Sequence, residues 1–242
     1  MHFVFLAAGK GTRIFKKIKT NKCLIKLKKK TIIEILIENI PKNYRNKTTI
    51  VTGFNHANII KATKKYKINY LQNKEYKNTE MLHSLCIALE EIDDDIFFSY
   101  SDIIYNKIII TKMIKQKNKN ICVPINIKWK KVWIQRGTNI EEDAETLRYK
   151  NNKLLEIGEK IKDIKKVKGQ FMGLFYIPKD KRNLILNILR NKNFKKKHLT
   201  FFINYLVKKK VNVSIIKYHH HWYEFDNYTD LLNYKKFEPS KL

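Results

Sequence analysis

HFVFLAAGKGTRIFKKIKTNKCLI, residues 2–25, decides how the rest of the chain is read. Phe3-Val4-Phe5-Leu6 is a short apolar run of the kind a buried strand presents, and it ends abruptly in Ala7-Ala8-Gly9-Lys10-Gly11-Thr12-Arg13. Small side chains in that loop let the main chain approach phosphate oxygens, and successive backbone N–H groups can point inward as a nest. Lys10 and Arg13 add two cations. At the carboxyl end of a first strand, such a loop stands where open α/β sheets bind their ligands. On spacing alone the segment also fits a plain strand-to-loop connection. It is not a P-loop, which needs four residues between its glycines. Nor is it the dinucleotide fingerprint, whose third glycine would fall where Ile14 stands.

Outward from this segment the chain alternates strand and helix. Residues 31–40 read as a largely buried helix ended by Pro41, and 48–52 as a β-branched strand closed by Gly53. Asn55 is positioned to cap a helix over 56–66, residues 68–71 form a third strand, and Thr79 is placed to cap a helix over 80–91. A strand over 95–100 delivers Ser101-Asp102 at its carboxyl end. Four β-α units in a row imply a parallel sheet with right-handed crossovers. Later segments add a helix over 106–116, a strand over 120–125 and an irregular region holding Trp129, Trp133, Arg136 and an acidic run. Residues 147–149 and 154–157 read as a hairpin joined across the Asn-rich turn Lys150-Asn151-Asn152-Lys153. A strand over 169–177, helices over 179–190 and 199–210, a strand over 211–216, an extended segment over 220–226 and a terminal helix over 228–237 complete the pattern. The expectation is a single α/β domain with a small β-rich insertion at 126–168.

Its 242 residues are ample for a three-layer core, and 13 Phe and 13 Tyr argue for a packed globule. The apolar runs fall far short of the ~20 residues a membrane-spanning helix requires, and no signal peptide precedes the first strand, so a cytoplasmic protein is expected. Cys23, Cys86 and Cys122 are odd in number and widely spaced, as reduced core thiols would be. A formal charge of +29 invites a nucleic-acid partner, but the lysines are spread along the chain and a footprint should be local. Nucleic acid and membrane are therefore disfavoured, and a field that attracts small anions is expected. Both a monomer and a homodimer stay open.

Asp102 follows a strand whose parallel neighbour should end in the glycine loop, so its carboxylate would face any phosphate bound there. It would repel that phosphate unless a divalent cation lay between them. In Glu224-Phe225-Asp226, strand alternation puts both carboxylates on one side. A solvated surface acid is the plain alternative for each. Tyr105, Trp129, Trp133, Trp222 and Tyr223 are candidates for an aromatic wall around a cationic head group, with core packing as the competing role. Lys160 could hold an acceptor phosphate. The run His219-His220-His221 suits a pocket edge better than a metal site, because alternate residues of an extended segment diverge.

The opening segment resembles the signature of the nucleoside triphosphate transferase superfamily, Leu-Ala-Ala-Gly-x-Gly-x-Arg followed by Pro-Lys. Asn21-Lys22 keeps the lysine and lacks the proline. Within that superfamily the chain resembles the cytidylyltransferases for phosphocholine and 2-aminoethylphosphonate. Trp222-Tyr223-Glu224-Phe225-Asp226 with Asp230-Leu231 is similar to their Trp-x-Glu-Ile-Asp element, and Val51-Thr52-Gly53-Phe54 to their Val-Thr-Gly-Tyr. Ser84-Leu85 after Asn78 and Gly169 to Gly173 match further elements, in order along nearly the whole chain.

The resemblance implies a three-layer α/β/α, Rossmann-like nucleotidyltransferase with a mixed, mostly parallel central sheet. It implies transfer of CMP from CTP to a small phosphate or phosphonate acceptor, with Mg2+ as cofactor. Lys10, Arg13 and Lys22 would act on the triphosphate. Leu6, Ala7, Ala8, Gly9, Gly11 and Thr12, with Gly53 and Ser84, would bind the nucleotide. Asp102, Glu224 and Asp226 would hold the metal, and Glu145, in an Asp-Ala-Glu run, would pair with an acceptor amine. Phosphocholine, 2-aminoethylphosphonate and phosphoglutamine are the acceptor candidates. A sugar 1-phosphate nucleotidyltransferase is the second enzymatic reading, and a non-catalytic basic nucleic-acid-binding module the reading from another class.

Overall fold

The structure, a computed structural model, describes residues 1–116, 120–191 and 194–237. β1 (His2–Ala7) is covered on both faces. Phe3, Phe5 and Ala7 join one apolar cluster while Val4 and Leu6 join another across the sheet, which is why the strand reads as an unbroken apolar run. The glycine loop runs directly into α1 (Thr12–Ile18), so Thr12 and Arg13, read as loop, open a short helix. A ribbon, β2 (Lys26–Leu27) and β3 (Lys30–Thr31), leads to α2 (Ile32–Asn39), started by reciprocal Thr31–Glu34 hydrogen bonds. β4 (Thr48–Thr52), α3 (His56–Thr63), β5 (Asn69–Gln72), α4 (Met81–Glu91) and β6 (Ile96–Tyr100) follow the expected alternation. Thr79 does not cap α4. Glu80 holds that position, and the Thr79 hydroxyl donates to the Glu75 carbonyl at 2.9 Å.

β7 (Ile103–Tyr105), α5 (Ile108–Gln116) and β8 (Ile121–Asn126) come next. The region read as irregular holds α6 (Trp129–Arg136) and the single turn α7 (Ile140–Asp143). β9 (Glu145–Lys150) and β10 (Lys153–Lys160) form the expected hairpin, with Asn151 and Asn152 at φ 49 and 59, the paired positive angles of a tight two-residue turn. The strand expected over 169–177 is two strands, β11 (Gln170–Phe171) and β12 (Leu174–Ile177). They part at Gly173, whose φ of 75 breaks the extended run, and a Cβ there would lie 2.8 Å from the Tyr100 ring. α8 (Arg182–Asn191), α9 (Leu199–Lys208), β13 (Val213–Tyr218), β14 (Trp222–Glu224) and α10 (Tyr228–Lys236) complete the order. The histidine run lies in the turn between β13 and β14, so strand alternation does not order its side chains.

Ten strands share one sheet, in the order β5-β4-β1-β6-β12-β8-β13-β10-β9, with β11 paired to β8. β5, β4, β1 and β6 are parallel, as are β8 and β13, while β12 runs antiparallel between β6 and β8. The sheet is thus mixed and mostly parallel, with helices over both faces. The hairpin within 126–168 extends this sheet through β13.

Two pairings position the site. β1 and β6 are parallel neighbours with Leu6 opposite Tyr100, so the glycine loop and Ser101-Asp102 leave the sheet side by side. β14 pairs antiparallel with β7, setting Glu224 opposite Ile103, and the Phe225 N–H donates to the Asp102 carbonyl at 2.9 Å. That small ribbon carries the late acids to Asp102. Among the described residues no helix is long and apolar enough to cross a membrane, and no disulfide joins the three cysteines.

Candidate active site

The glycine loop is built for close approach at two points. Gly11 has φ 62, and a Cβ on it would lie 2.7 Å from Cγ of Lys22, so this position keeps open the path of the lysine stem. Gly53 backs the loop from β4, where a Cβ would meet the Ala8 carbonyl at 2.7 Å and the next N–H, of Phe54, donates to that carbonyl at 3.0 Å. Asn21 takes over the role of the missing proline. Its φ of −63 lies where a proline ring would fix it, and its amide donates to the Phe54 carbonyl at 2.9 Å.

Lys22, delivered by this turn, places its ammonium 2.9 Å from both Asp102 Oδ2 and Asp226 Oδ1. The Arg13 guanidinium reaches the same Asp226 oxygen at 3.2 Å. Burial alone would lower the Lys22 pKa, but two adjacent carboxylates reverse the direction and raise it, so the ammonium keeps its proton. Burial would raise the Asp226 pKa, yet Lys22, Arg13 and Arg136 together hold it below the usual carboxylate range. Glu224 behaves oppositely. Burial and then the neighbouring Asp226 push its pKa well up, against an opposing pull from Arg136, whose Nη1 is 3.6 Å away.

One continuous cleft collects most of the residues expected from sequence. Leu6, Ala7, Ala8 and Gly9 line its inner end together with Ser84, and Gly11, Lys22 and Asp102 line its centre. Lys10, Thr12 and Arg13 line the outer part opposite Glu224 and Asp226. Lys10 lies against the Phe15 and Phe54 rings, at 4.8 and 5.4 Å from their centroids, at the mouth. Gly53 supports the loop from behind.

The aromatic wall is not where it was expected. Tyr105, Trp129, Trp133, Trp222 and Tyr223 are buried in the core, Trp133 stacked on Trp222 and edge-on to Trp129, because α6, β7 and β14 turn these rings inward. Lys160 sits in a separate surface groove on the hairpin, among Arg148, Glu156 and Lys166. Glu145 is half-buried at the start of β9, accepting from the Thr200 hydroxyl at 3.2 Å, with its pKa raised by burial.

Sequence reasoning missed several cleft residues. Tyr76, Glu80, Met81, Tyr100 and His198 line it from the turn before α4 and the start of that helix, the end of β6 and the approach to α9. Asn73, which bonds Ser84 at 3.1 Å, closes the inner end. Arg136 was placed in an irregular region, although it is one of only six arginines in a chain so rich in lysine, and arginine is what a multi-carboxylate contact demands.

Residues 3–150 match the MobA-like NTP transferase domain. The chain belongs to that family. The transferase is 29% identical over 248 aligned residues to the CTP:phosphoglutamine cytidylyltransferase of Campylobacter jejuni, covering 96% of this chain and 98% of the relative. Its fold is that of two solved nucleotidyltransferases. A putative glucose-1-phosphate thymidylyltransferase from Bacillus anthracis has a TM-score of 0.79 at 16% identity, covering 100% of this chain and 96% of the other. The CTP:phosphocholine cytidylyltransferase of Streptococcus pneumoniae has a TM-score of 0.73 at 17% identity, covering 98% and 99%. The transferase is therefore a nucleotidyltransferase enzyme of α/β fold, and the non-catalytic reading is set aside.

Nucleotidyltransferases of this family generally use a divalent metal. The donor set here suits a hard cation. Asp102 Oδ2 and Asp226 Oδ1 already converge on one positive charge, that of Lys22, and two carboxylates leave room for phosphate oxygens and water. Among the described residues no three acids, histidines or cysteines form a metal-holding cluster, and the Glu224 carboxylate stands beside Arg136.

Proposed function

We propose that this enzyme transfers CMP from CTP to a small phosphate or phosphonate acceptor, phosphoglutamine before phosphocholine or 2-aminoethylphosphonate, and releases pyrophosphate. The observation that carries this reading is the shared contact of Lys22 with Asp102 and Asp226 beneath the glycine loop. Similarity along almost the full length of a phosphoglutamine enzyme supports the choice of acceptor.

In the reaction, an oxygen of the acceptor phosphate attacks the α-phosphorus of CTP, a new P–O bond forms, and the bond to pyrophosphate breaks with the opposite geometry. The protein's work is placement and charge. Loop N–H groups and Arg13 hold the β- and γ-phosphates. Lys22, poised at the centre of the cleft, turns its ammonium to the α-phosphate, where charge accumulates. Asp102 and Asp226 would hold Mg2+, which neutralises phosphate charge when bound. Glu80, on the outer wall of the cleft, favours an acceptor that carries an ammonium group. Such a product, a nucleotide-activated head group, fits surface-polysaccharide or head-group modification, and CTP supply places the work in the cytoplasm.

The test is a pyrophosphate-release screen crossing the four ribonucleoside triphosphates with phosphoglutamine, phosphocholine, 2-aminoethylphosphonate and hexose 1-phosphates. CTP with an amino-bearing acceptor is expected to dominate. Preferential turnover of a hexose 1-phosphate would overturn the assignment.

A further inference from the structure

Behind the Lys22–Asp226 contact lies a guanidinium that does not itself line the cleft but grips the acids that do. The Arg136 side chain is 0% exposed, and four carboxylates surround it. Nε and Nη2 fork onto Asp230 at 3.0 and 3.3 Å, Nη2 also reaches Asp226 Oδ2 at 3.3 Å, and Nη1 meets Asp143 at 3.4 Å with Glu224 beyond at 3.6 Å. Its flat face lies over the Trp133 ring, 5.2 Å from the centroid. Asp226 is thereby divided between two environments. Oδ2 is bound from the core by Arg136, leaving Oδ1 turned into the cleft toward Lys22 and Arg13.

Asp230 extends the same clamp to the main chain. It is fully buried at the third position of α10, and its Oδ2 accepts the N–H groups of Asp226 and Asn227 at 2.8 and 3.0 Å. One guanidinium therefore fixes both the backbone at residue 226 and the rotation of its carboxylate. A lysine could supply the charge but not the fork.

We propose that Arg136, locked to Asp230, is a positioning residue that presents Asp226 Oδ1 to the divalent metal and keeps four clustered acids compatible with one another. This rests on the reading of Asp226 as a metal ligand. Groups that orient metal ligands from behind typically change affinity or activity about 10–100-fold when altered.

The test is Mn2+ affinity measured by electron paramagnetic resonance, in the presence of CTP and without acceptor, alongside melting temperature and turnover. Arg136→Lys is expected to melt within a few degrees of the parent yet bind Mn2+ about 10–100-fold more weakly, with kcat falling further than the acceptor KM rises. A folded Arg136→Lys protein with Mn2+ affinity within two-fold of the parent would overturn the proposal. Should that variant not fold, Asp230→Asn reads the same clamp from its other side, and the same loss of Mn2+ affinity is expected. Unfolding of both variants would assign the pair to stability alone and also overturn it. Because metal affinity is read without acceptor, a wrong acceptor assignment would leave this result intact. Failure of the parent itself to bind Mn2+ would instead remove the metal reading of Asp226.

Discussion

At the scale of single residues, the site depends on where bulk is absent and where charge is buried. Gly11→Ala would force a left-handed backbone on a residue with a Cβ, at about 1–2 kcal/mol, and press that Cβ on the Lys22 stem. Urea unfolding should show that loss, and the KM for CTP should rise several-fold. Glu224 gives a pH signature. Its folded pKa is raised above the usual 4.5 by burial and by Asp226, so the native state holds that proton more tightly than the unfolded chain. Its contribution therefore weakens as pH climbs from about 4.5 through the folded value. Melting temperatures of parent and Glu224→Gln from pH 5 to 8 should diverge in favour of the variant as pH rises. A constant difference would refute the buried-acid assignment. Asp226 runs the other way, its lowered pKa giving stability that is present above the ordinary aspartate value and lost as pH falls through the folded one.

At the scale of elements, what sequence made legible was whatever has a local cause. The β1 run, the Gly9 to Gly11 loop, the strand-helix alternation that makes β1, β4, β5 and β6 parallel, and the Asn-rich hairpin turn each follow from side chains a few residues apart. α6 was missed although Trp129, Val132, Trp133 and Arg136 have helical spacing, because its last inward position is an arginine and inward arginines break the apolar pattern. The same helix explains the misplaced aromatic wall. Its rings face the core because β14, arriving from nearly a hundred residues away, offers Trp222 to stack on. No local signal carries that. Trp129→Phe should consequently lower the melting temperature by several degrees while leaving the acceptor KM within two-fold. A selective rise in acceptor KM without thermal loss would return Trp129 to the substrate.

At the scale of the whole molecule, the formal charge of +29 surrounds an acidic pocket floor. The excess cations lie mostly on solvated surface, so their effect on a triphosphate is long-range and should fade as salt shortens the screening length to ~8 Å at physiological strength. The KM for CTP should climb with added NaCl, while kcat, set inside the cleft, changes little. A KM indifferent to salt would mean that the surface lysines do nothing for substrate capture. Charge and composition could not have located the site. Its position came from one sheet order and one short ribbon, β7 with β14, that draw Asp102 and Asp226 to the same lysine.

That convergence is tested most directly by phosphorus NMR of CTP, phosphoglutamine and Mg2+ incubated with the parent enzyme and with Asp102→Asn. The parent should give free pyrophosphate and a new P–O–P resonance pair joining CMP to the acceptor, with the variant slower by at least about 100-fold. Equal product formation by both proteins, or pyrophosphate without a joined product, would contradict it.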